Sequence, residues 1–210
     1  NILAPGAFLP SAERFHLATR IDRWVLNQVI SRLESLPDLS VVQTLCVNVS
    51  GQSLGDRAFH EDALNALERA GPDVCRRLCL EITETAVVTN MSDAVDFAER
   101  VRALGVGIAL DDFGAGASSF GYLKNLPADV LKIDGQYIRT MIDDALADAA
   151  VRCFVDVARL SGIETVAEFV DRAEVLERVE AIGIDHAQGF LLHEPESLES
   201  VLGMRATVAA

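Results

Sequence analysis

The stretch LCVNVSGQ at residues 45–52 is the first of a series of short apolar segments, and it decides between two α/β folds. Its aliphatic residues are typical of a strand that is buried on both faces of a parallel sheet. An open, dinucleotide-binding sheet has a glycine-rich fingerprint directly after its first strand. Here the strand continues into Asn48, Ser50, Gly51 and Gln52 without that fingerprint, so we expect a closed (β/α)8 barrel instead.

Five more apolar segments follow the first, and stretches with helical periodicity separate them. This alternation is typical of repeated βα units around a parallel sheet. The predicted strands are residues 45–50, 78–83, 106–111, 130–134, 165–170 and 186–191. The predicted helices are residues 18–36, 56–70, 92–104, 118–126, 143–161, 173–182 and 198–204. Glycines follow four of the helices, where a left-handed residue commonly ends a helix: Gly71, Gly105, Gly162 and Gly183.

Length and composition indicate one folded domain. The chain has 210 residues, half of them hydrophobic, and its 32 acidic and 18 basic residues give a formal net charge of −14. This charge argues against DNA or a membrane surface as a partner, because both are bound by clusters of Lys and Arg. No apolar run is long enough to cross a bilayer, and no signal-peptide pattern opens the chain. The four cysteines match no zinc-site spacing, so we expect a reducing, cytoplasmic setting.

Polar and charged residues lie at or near the carboxyl ends of the predicted strands, where they interrupt apolar segments. In a parallel barrel these ends meet on one face, which is where barrel enzymes have their active sites. Carboxylate and amide oxygens suit Mg²⁺ or Mn²⁺, and the adjacent Asp111 and Asp112 can serve two ions about 3.5–4 Å apart, as in phosphoryl hydrolysis. The residues concerned are Asn48, Glu81, Glu84, Asp111, Asp112, Lys132, Asp134, Glu168 and Gln188.

Five short motifs carry a resemblance to a known family. They are EITE at 81–84, DDFGAG at 111–116 with Ser118 and Ser119 after it, KID at 132–134, VAE at 166–168 and QGF at 188–190. In order and spacing they resemble the EAL family of cyclic di-GMP phosphodiesterases. The resemblance extends from PGAFLP at residues 5–10 to the last predicted helix.

The resemblance implies a TIM-like (β/α)8 barrel that hydrolyses cyclic di-GMP to linear pGpG with two Mg²⁺ or Mn²⁺ ions. It assigns Asn48, Glu81 and Asp111 to one metal, and Asp111, Asp112 and Glu168 to the other. It makes Lys132 and Glu168 catalytic: Lys132 holds the attacking water or its metal shell, and Glu168 acts as base or ligand. It places Gln188 near the substrate, Glu84 as the anchor of the loop that starts at Asp112, and Asp134 beside the metals.

The sequence also departs from the family pattern. The Glu-Ala-Leu strand that names the family is absent, and six predicted strands are two fewer than a barrel has. We therefore expect residues 1–210 to form a single EAL-like barrel domain that is incomplete at its N-terminus and lacks the first β-hairpin. Phe169 stands where the family usually has Gly, and Asp171 where it usually has Glu. Ala115 and Ala117 replace the usual Thr and Tyr of the loop.

Two alternatives to the enzyme stay open at this point. One is an EAL-like receptor that binds cyclic di-GMP without hydrolysing it, and the other is an unrelated metal-dependent barrel lyase or phosphatase. The resemblance further implies a homodimer and covalently linked GGDEF or sensory domains, in a protein that is cytoplasmic or membrane-anchored elsewhere in its chain. For this domain we expect no DNA and no membrane contact.

Overall fold

A computed structural model describes residues 4–116 and 120–203 of the protein. Its centre is a six-stranded sheet in which every neighbouring pair of strands is parallel. The strands are β1 (Leu45–Val49), β2 (Leu78–Thr83), β3 (Gly107–Phe113), β4 (Val130–Ile133), β5 (Glu164–Ala167) and β6 (His186–Ala187). Their spatial order is β1-β2-β3-β4-β5-β6, the same as their order in the chain. A doubly wound sheet reverses its strand order at a switch point, whereas a barrel does not, so this is barrel order.

Helices connect the strands and cover the outer face of the sheet. They are α1 (Pro5–Arg14), α2 (Ala18–Glu34), α3 (Gly51–Leu54), α4 (Arg57–Ala70), α5 (Pro72–Cys75), α6 (Glu84–Thr89), α7 (Met91–Ala103), α8 (Gly135–Thr140), α9 (Ala145–Ser161), α10 (Ala173–Ile182) and α11 (Leu198–Val201). Short 3-10 helices cover Leu39–Val41 and Phe120–Lys124. No helix in the described part of the chain is both long enough and apolar enough to span a membrane.

The helix predictions are accurate where a cap marks the boundary. Helix α10 has the predicted bounds and ends at Gly183, and α9 ends at Gly162; both glycines are left-handed, with φ of 83° and 69°. Helices α4 and α9 begin one and two residues later than predicted, because Asp56 and Asp144 cap them instead of joining them. Their carboxylates accept hydrogen bonds from free backbone N–H groups of the first turn, which is the usual role of an N-cap.

Most other predicted elements differ from the structure by one or two residues at an end, and three strands and one helix need separate mention. Strand β3 continues to Phe113, past the predicted end at residue 111, with a register shift against β4 between Leu110 and Phe113. The predicted strand 165–170 ends at Ala167, and the predicted strand 186–191 is only two residues long. Only the 3-10 turn at 120–124 occurs in the described part of the predicted helix 118–126, and Ala117, Ser118 and Ser119 lie outside the described residues.

The two faces of the sheet differ in chemistry, since successive side chains of a strand point to opposite faces. One face is apolar and packs against the helices: Val47, Val49, Leu80, Ile82, Ile108, Leu110, Leu131 and Ile133 are all buried. On the other face, β1 contributes Asn48, β2 Glu81, β3 Asp111 and β4 Lys132. The pairing of β1 with β2 puts Asn48 beside Glu81, and the pairing of β2 with β3 puts Thr83 beside Asp111. The fold thus brings the predicted polar residues to one face.

Candidate active site

Lys132 is at the centre of the polar face. Its Nζ lies 3.1 Å from Glu81 Oε1, 2.9 Å from Asp111 Oδ1 and 2.8 Å from Glu168 Oε1. The side chain of Lys132 is only 6% exposed, and the three carboxylates are nearly as buried. Three acids, one on β2, one on β3 and one directly after β5, therefore share one ammonium group on β4, and the group as a whole has a net negative charge.

Charge interactions determine the protonation of Lys132. Burial by itself lowers the pKa of this lysine, but the carboxylates of Glu81, Glu168 and Asp111 raise it further than burial lowers it. Its net pKa is above the usual value, so the ammonium stays charged. A buried charge needs such partners, because an unpaired one is very costly.

Asp111, Asp112 and Glu168 form an acidic cluster next to Lys132. One carboxylate oxygen of each lies within 4.8 Å of those of the others. Asp111 Oδ1 is buried and forms an ion pair with Lys132, but no oriented hydrogen bond reaches it from the described residues. Oxygen donors this close together, one of them without a hydrogen bond, fit a divalent cation of the Mg²⁺ or Mn²⁺ type.

The raised pKa values in the cluster reflect burial first and crowding of like charges second. Burial raises the pKa of Asp112, and the neighbouring Asp111 and Asp134 raise it further. Burial also raises the pKa of Glu168 to about 7; Lys132 opposes this shift, whereas Asp111 and Asp112 add to it. A cation among these groups would stabilise their ionised forms, because an opposite charge favours the charged state.

Glu84 holds the loop that leaves β3. It is the first residue of α6, directly after β2, and is 3% exposed. Its Oε2 accepts a hydrogen bond from the backbone N–H of Gly114 at 3.0 Å. This contact is the geometry that an anchor of the loop after Asp112 requires. Gly114 has a φ of 95°, a conformation that favours glycine.

Residues 1–195 match the family model of the EAL domain. The chain belongs to the EAL domain family. It is 39% identical to the cyclic di-GMP phosphodiesterase PdeB of Shewanella oneidensis, over 95% of this chain and 23% of PdeB. It is 34% identical to the bifunctional diguanylate cyclase/cyclic di-GMP phosphodiesterase MucR of Pseudomonas aeruginosa, over 96% of this chain and 30% of MucR.

A solved structure agrees with this assignment. The PaMucR phosphodiesterase in complex with c-di-GMP is 33% identical to this EAL domain and superimposes with a TM-score of 0.86, over 95% of this chain and 87% of that one. The comparison confirms the predicted family and the TIM-like barrel class. The chain spans less than a third of the length of either curated relative.

Besides Glu84, three predicted site residues of the EAL domain lie outside the cluster of Lys132 and its neighbouring acids. Asn48 is exposed on β1, beside Glu81 in the sheet register. Asp134 caps α8, and its Oδ1 accepts a hydrogen bond from the N–H of Gln136 at 2.6 Å. Gln188 follows β6, donates its backbone N–H to Ala167 and lines a cleft of about 360 Å³ that also borders Glu168.

Two contacts near the site were missed by the sequence reasoning. The Tyr137 hydroxyl donates a hydrogen bond to the carbonyl oxygen of Gly114, and Arg139 lies over the Phe169 ring at 4.4 Å from its centroid. Tyr137 and Arg139 follow the KID motif by three and five residues, so their position after β4 was a usable signal. The sequence does not indicate that these side chains contact Gly114 and Phe169, because both contacts join distant parts of the chain.

Proposed function

We propose that this EAL domain hydrolyses one phosphodiester bond of cyclic di-GMP, giving linear pGpG, in bacterial second-messenger signalling. The observation that carries the proposal is the Asp111, Asp112 and Glu168 cluster, with Lys132 bound to two of these acids. The activities by which PdeB and MucR are named support the substrate class, as does the nucleotide in the PaMucR complex. We further propose Mg²⁺ or Mn²⁺ as the metal, with two ions bound.

In this proposal Asp111, Asp112 and Glu168 hold the metal, and Asn48, Glu81 and Asp134 complete the ligand set. A bound divalent cation supplies Lewis-acid stabilisation of the charge that develops on the phosphate, and it lowers the pKa of water. Glu168 serves as ligand or as the base that accepts the proton of the attacking water, since its carboxylate belongs to the cluster that would hold the metal.

Lys132 and Gln188 have the positioning roles. An ammonium group has three N–H donors, and all three have a carboxylate within reach here. If a metal ion pairs with these carboxylates, the Lys132 ammonium becomes free to donate a hydrogen bond to the attacking water. Gln188 borders the cleft next to Glu168, so its amide is placed to bind the substrate or the water.

We also propose the molecular setting of this domain. Residues 1–210 form one barrel domain that a preceding β-hairpin completes. The domain is cytoplasmic, either in a fully cytoplasmic protein or in the cytoplasmic part of a membrane-anchored one. The domain pairs as a homodimer and is linked to a GGDEF or sensory domain. The bifunctional relative MucR, of which this chain spans 30%, supports the linked arrangement.

The test is turnover of cyclic di-GMP with Mg²⁺ or Mn²⁺, followed by chromatography of pGpG, using the native protein that contains this chain. Glu168→Gln removes a charge with little change of volume and should abolish turnover while nucleotide binding persists. Glu164→Gln is the matched control, because Glu164 is an exposed acid on β5, the strand that Glu168 directly follows. It should leave turnover unchanged.

The outcomes separate the candidate functions. Product that disappears with EDTA and with Glu168→Gln, but persists in Glu164→Gln, supports the phosphodiesterase. Saturable binding of cyclic di-GMP without product identifies a receptor. Neither binding nor product points to a metal-dependent barrel that acts on another substrate.

A further inference from the structure

Gly114 is held through the two peptide groups that flank it. Its N–H donates to Glu84 Oε2 at 3.0 Å, and its carbonyl oxygen accepts a hydrogen bond from the Tyr137 hydroxyl, also at 3.0 Å. Glu84 begins the helix after β2, and Tyr137 lies on the helix after β4. Strands β2 and β4 are the two neighbours of β3, so the loop that leaves β3 is tied to the elements on either side of it.

We infer that Tyr137 is a positioning residue for Asp112, because its hydroxyl is a second anchor for the loop that begins there. The inference rests on the proposed function in one respect: that function gives Asp112 a metal to bind. Glu84 holds the peptide group before Gly114 through its N–H, and Tyr137 holds the peptide group after it through its carbonyl oxygen, so both hydrogen bonds together restrict the position of Gly114.

The segment 112–114 needs such support because its backbone is strained. Asp112 has a φ of 55° and Gly114 a φ of 95°, so left-handed residues lie on both sides of Phe113. A residue with a side chain adopts this conformation only where the surroundings hold it. The register shift between β3 and β4 occurs in the same place, between Leu110 and Phe113. Without external contacts, the segment would relax and move the Asp112 carboxylate away from Asp111 and Glu168.

Ring packing holds Tyr137 in place independently of its hydroxyl. The ring meets Phe154 edge to face, with 5.3 Å between centroids and 88° between planes. A Cβ on Gly114 would lie 2.8 Å from Tyr137 and 2.9 Å from Phe154, so both rings pack directly against the glycine backbone. Tyr137→Phe therefore removes the hydrogen bond and keeps the packing.

The experiment is a titration of the protein with Mn²⁺, followed by electron paramagnetic resonance of the free ion. Tyr137→Phe should weaken Mn²⁺ binding by roughly three- to tenfold, which is the loss expected for one hydrogen bond. Thr140→Val is the matched control: it removes a hydroxyl from the same helix α8, and that hydroxyl contacts only carbonyls of its own helix. This control should bind Mn²⁺ as the wild type does.

A second comparison tests whether both anchors act on the same residue, Gly114. In a Glu84→Gln background, Tyr137→Phe should weaken Mn²⁺ binding by a smaller factor than in the wild type, because the loop is already partly released. Equal factors in both backgrounds would contradict a shared action on Gly114.

Unchanged Mn²⁺ affinity in Tyr137→Phe overturns the inference. If the melting temperature falls while the Mn²⁺ affinity stays the same, the hydroxyl has a purely structural role. The readout is independent of turnover. If the wild type binds Mn²⁺ but yields no pGpG, the proposed function fails, while the affinity ratio still decides the role of Tyr137. A wild type that binds no Mn²⁺ at all overturns both.

Discussion

Lys132 compensates the charge of three buried carboxylates, so its removal should affect the whole molecule. At the scale of single residues, it is the side chain on which the described cluster depends most, because Glu81, Asp111 and Glu168 all lie within 3.1 Å of its Nζ. Removing one partner of a buried ion pair leaves an uncompensated charge, which is more damaging than replacing both partners.

We predict that Lys132→Met lowers the free energy of unfolding by about 3 kcal/mol in the absence of metal. Urea unfolding with and without Mn²⁺ measures the change, and Mn²⁺ should restore part of the loss because it binds only the folded state. The other lysine of the chain, Lys124, is exposed, and Lys124→Met serves as the control. Equal stability of the two variants would show that the carboxylates do not need Lys132.

The backbone conformation of Phe169 also has a measurable cost in stability. Its φ is 54°, its side chain is 52% exposed, and its ring lies against Gly135 and Arg139. A Cβ on Gly135 would come within 2.2 Å of the ring, so this contact requires glycine there. Phe169 directly follows Glu168, and the strained backbone therefore helps to define where the Glu168 carboxylate lies.

We predict that Phe169→Gly is more stable than Phe169→Ala by about 1 kcal/mol, the reverse of the usual order. Both variants lose the ring, but only glycine adopts a positive φ without strain. Urea unfolding of the pair measures the difference. A more stable alanine variant would show that the backbone leaves the left-handed region when the ring is removed.

The sequence predicts the polar residues of the site better than their contacts. Glu81, Asp111 and Lys132 interrupt apolar strands, and charges in such positions already indicate a shared site. The left-handed Phe169 could not be predicted, because its conformation depends on Gly135, which is 34 positions earlier in the chain. The 168–170 segment was predicted as strand for the same reason: its apolar residues fit a strand, and only the tertiary contact shows otherwise.

At the scale of elements, helices α4 and α7 are joined by a buried histidine. His60 is 3% exposed, its Nε2 lies 2.9 Å from the Leu54 carbonyl oxygen, and its ring stacks on Phe97 with 4.3 Å between centroids. Burial lowers the pKa of His60, against the opposing effects of the Leu54 carbonyl, Asp93 and Asp96. The neutral form is therefore the one that the folded state favours.

We predict a loss of stability on mild acidification that depends on His60. Its folded pKa is below the unfolded value of about 6.5, so between these two values only the unfolded chain binds the proton. The free energy of unfolding should fall as the pH decreases through about 6.5. Urea unfolding at about pH 7.5 and about pH 5.5 should show a smaller loss for His60→Gln than for the wild type.

His186→Gln is the control for this comparison, because His186 is an exposed histidine on β6. It should keep the pH dependence of the wild type. An equal loss in the wild type and in His60→Gln would attribute the acid sensitivity to other groups.

Helix boundaries are the most predictable elements of this fold, and strand ends are the least. Caps are local: Asp56, Asp144, Gly162 and Gly183 each act within a few residues of the helix that they bound. Strand ends depend instead on pairing with another segment. Strand β6 has only two residues because its pairing with β5 ends at Ala187, although the predicted strand continues to Leu191.

At the scale of the whole molecule, the sheet has two edges, β1 and β6, in the part of the chain that the structure describes. Cys46 and Asn48 on β1 are exposed, although Asn48 belongs to the same face as the buried Glu81. In the proposed complete barrel, strands from preceding sequence would cover this face and close the edge. Closed barrels have no exposed strand edge to pair with other chains.

We predict that the Cys46 thiol reacts rapidly with a disulfide reagent in the 210-residue chain and slowly when the native preceding sequence is included. Cys153 is exposed on the outer helix α9 and should react at the same rate in both proteins, which makes it the internal reference. Mass spectrometry of the labelled peptides measures the two rates. Unchanged labelling of Cys46 would contradict closure of the barrel at β1.

The consecutive strand order has a consequence for how this domain is synthesised. Each strand pairs with the next one to leave the ribosome, so the sheet can be extended at one edge while translation continues. Glu81 and Asp111 are made before Lys132, and Glu168 is made last. The nascent sheet therefore contains two uncompensated acids until β4 joins it, and the cluster is complete only after β5. Metal capture would thus be a late event in the biogenesis of the domain.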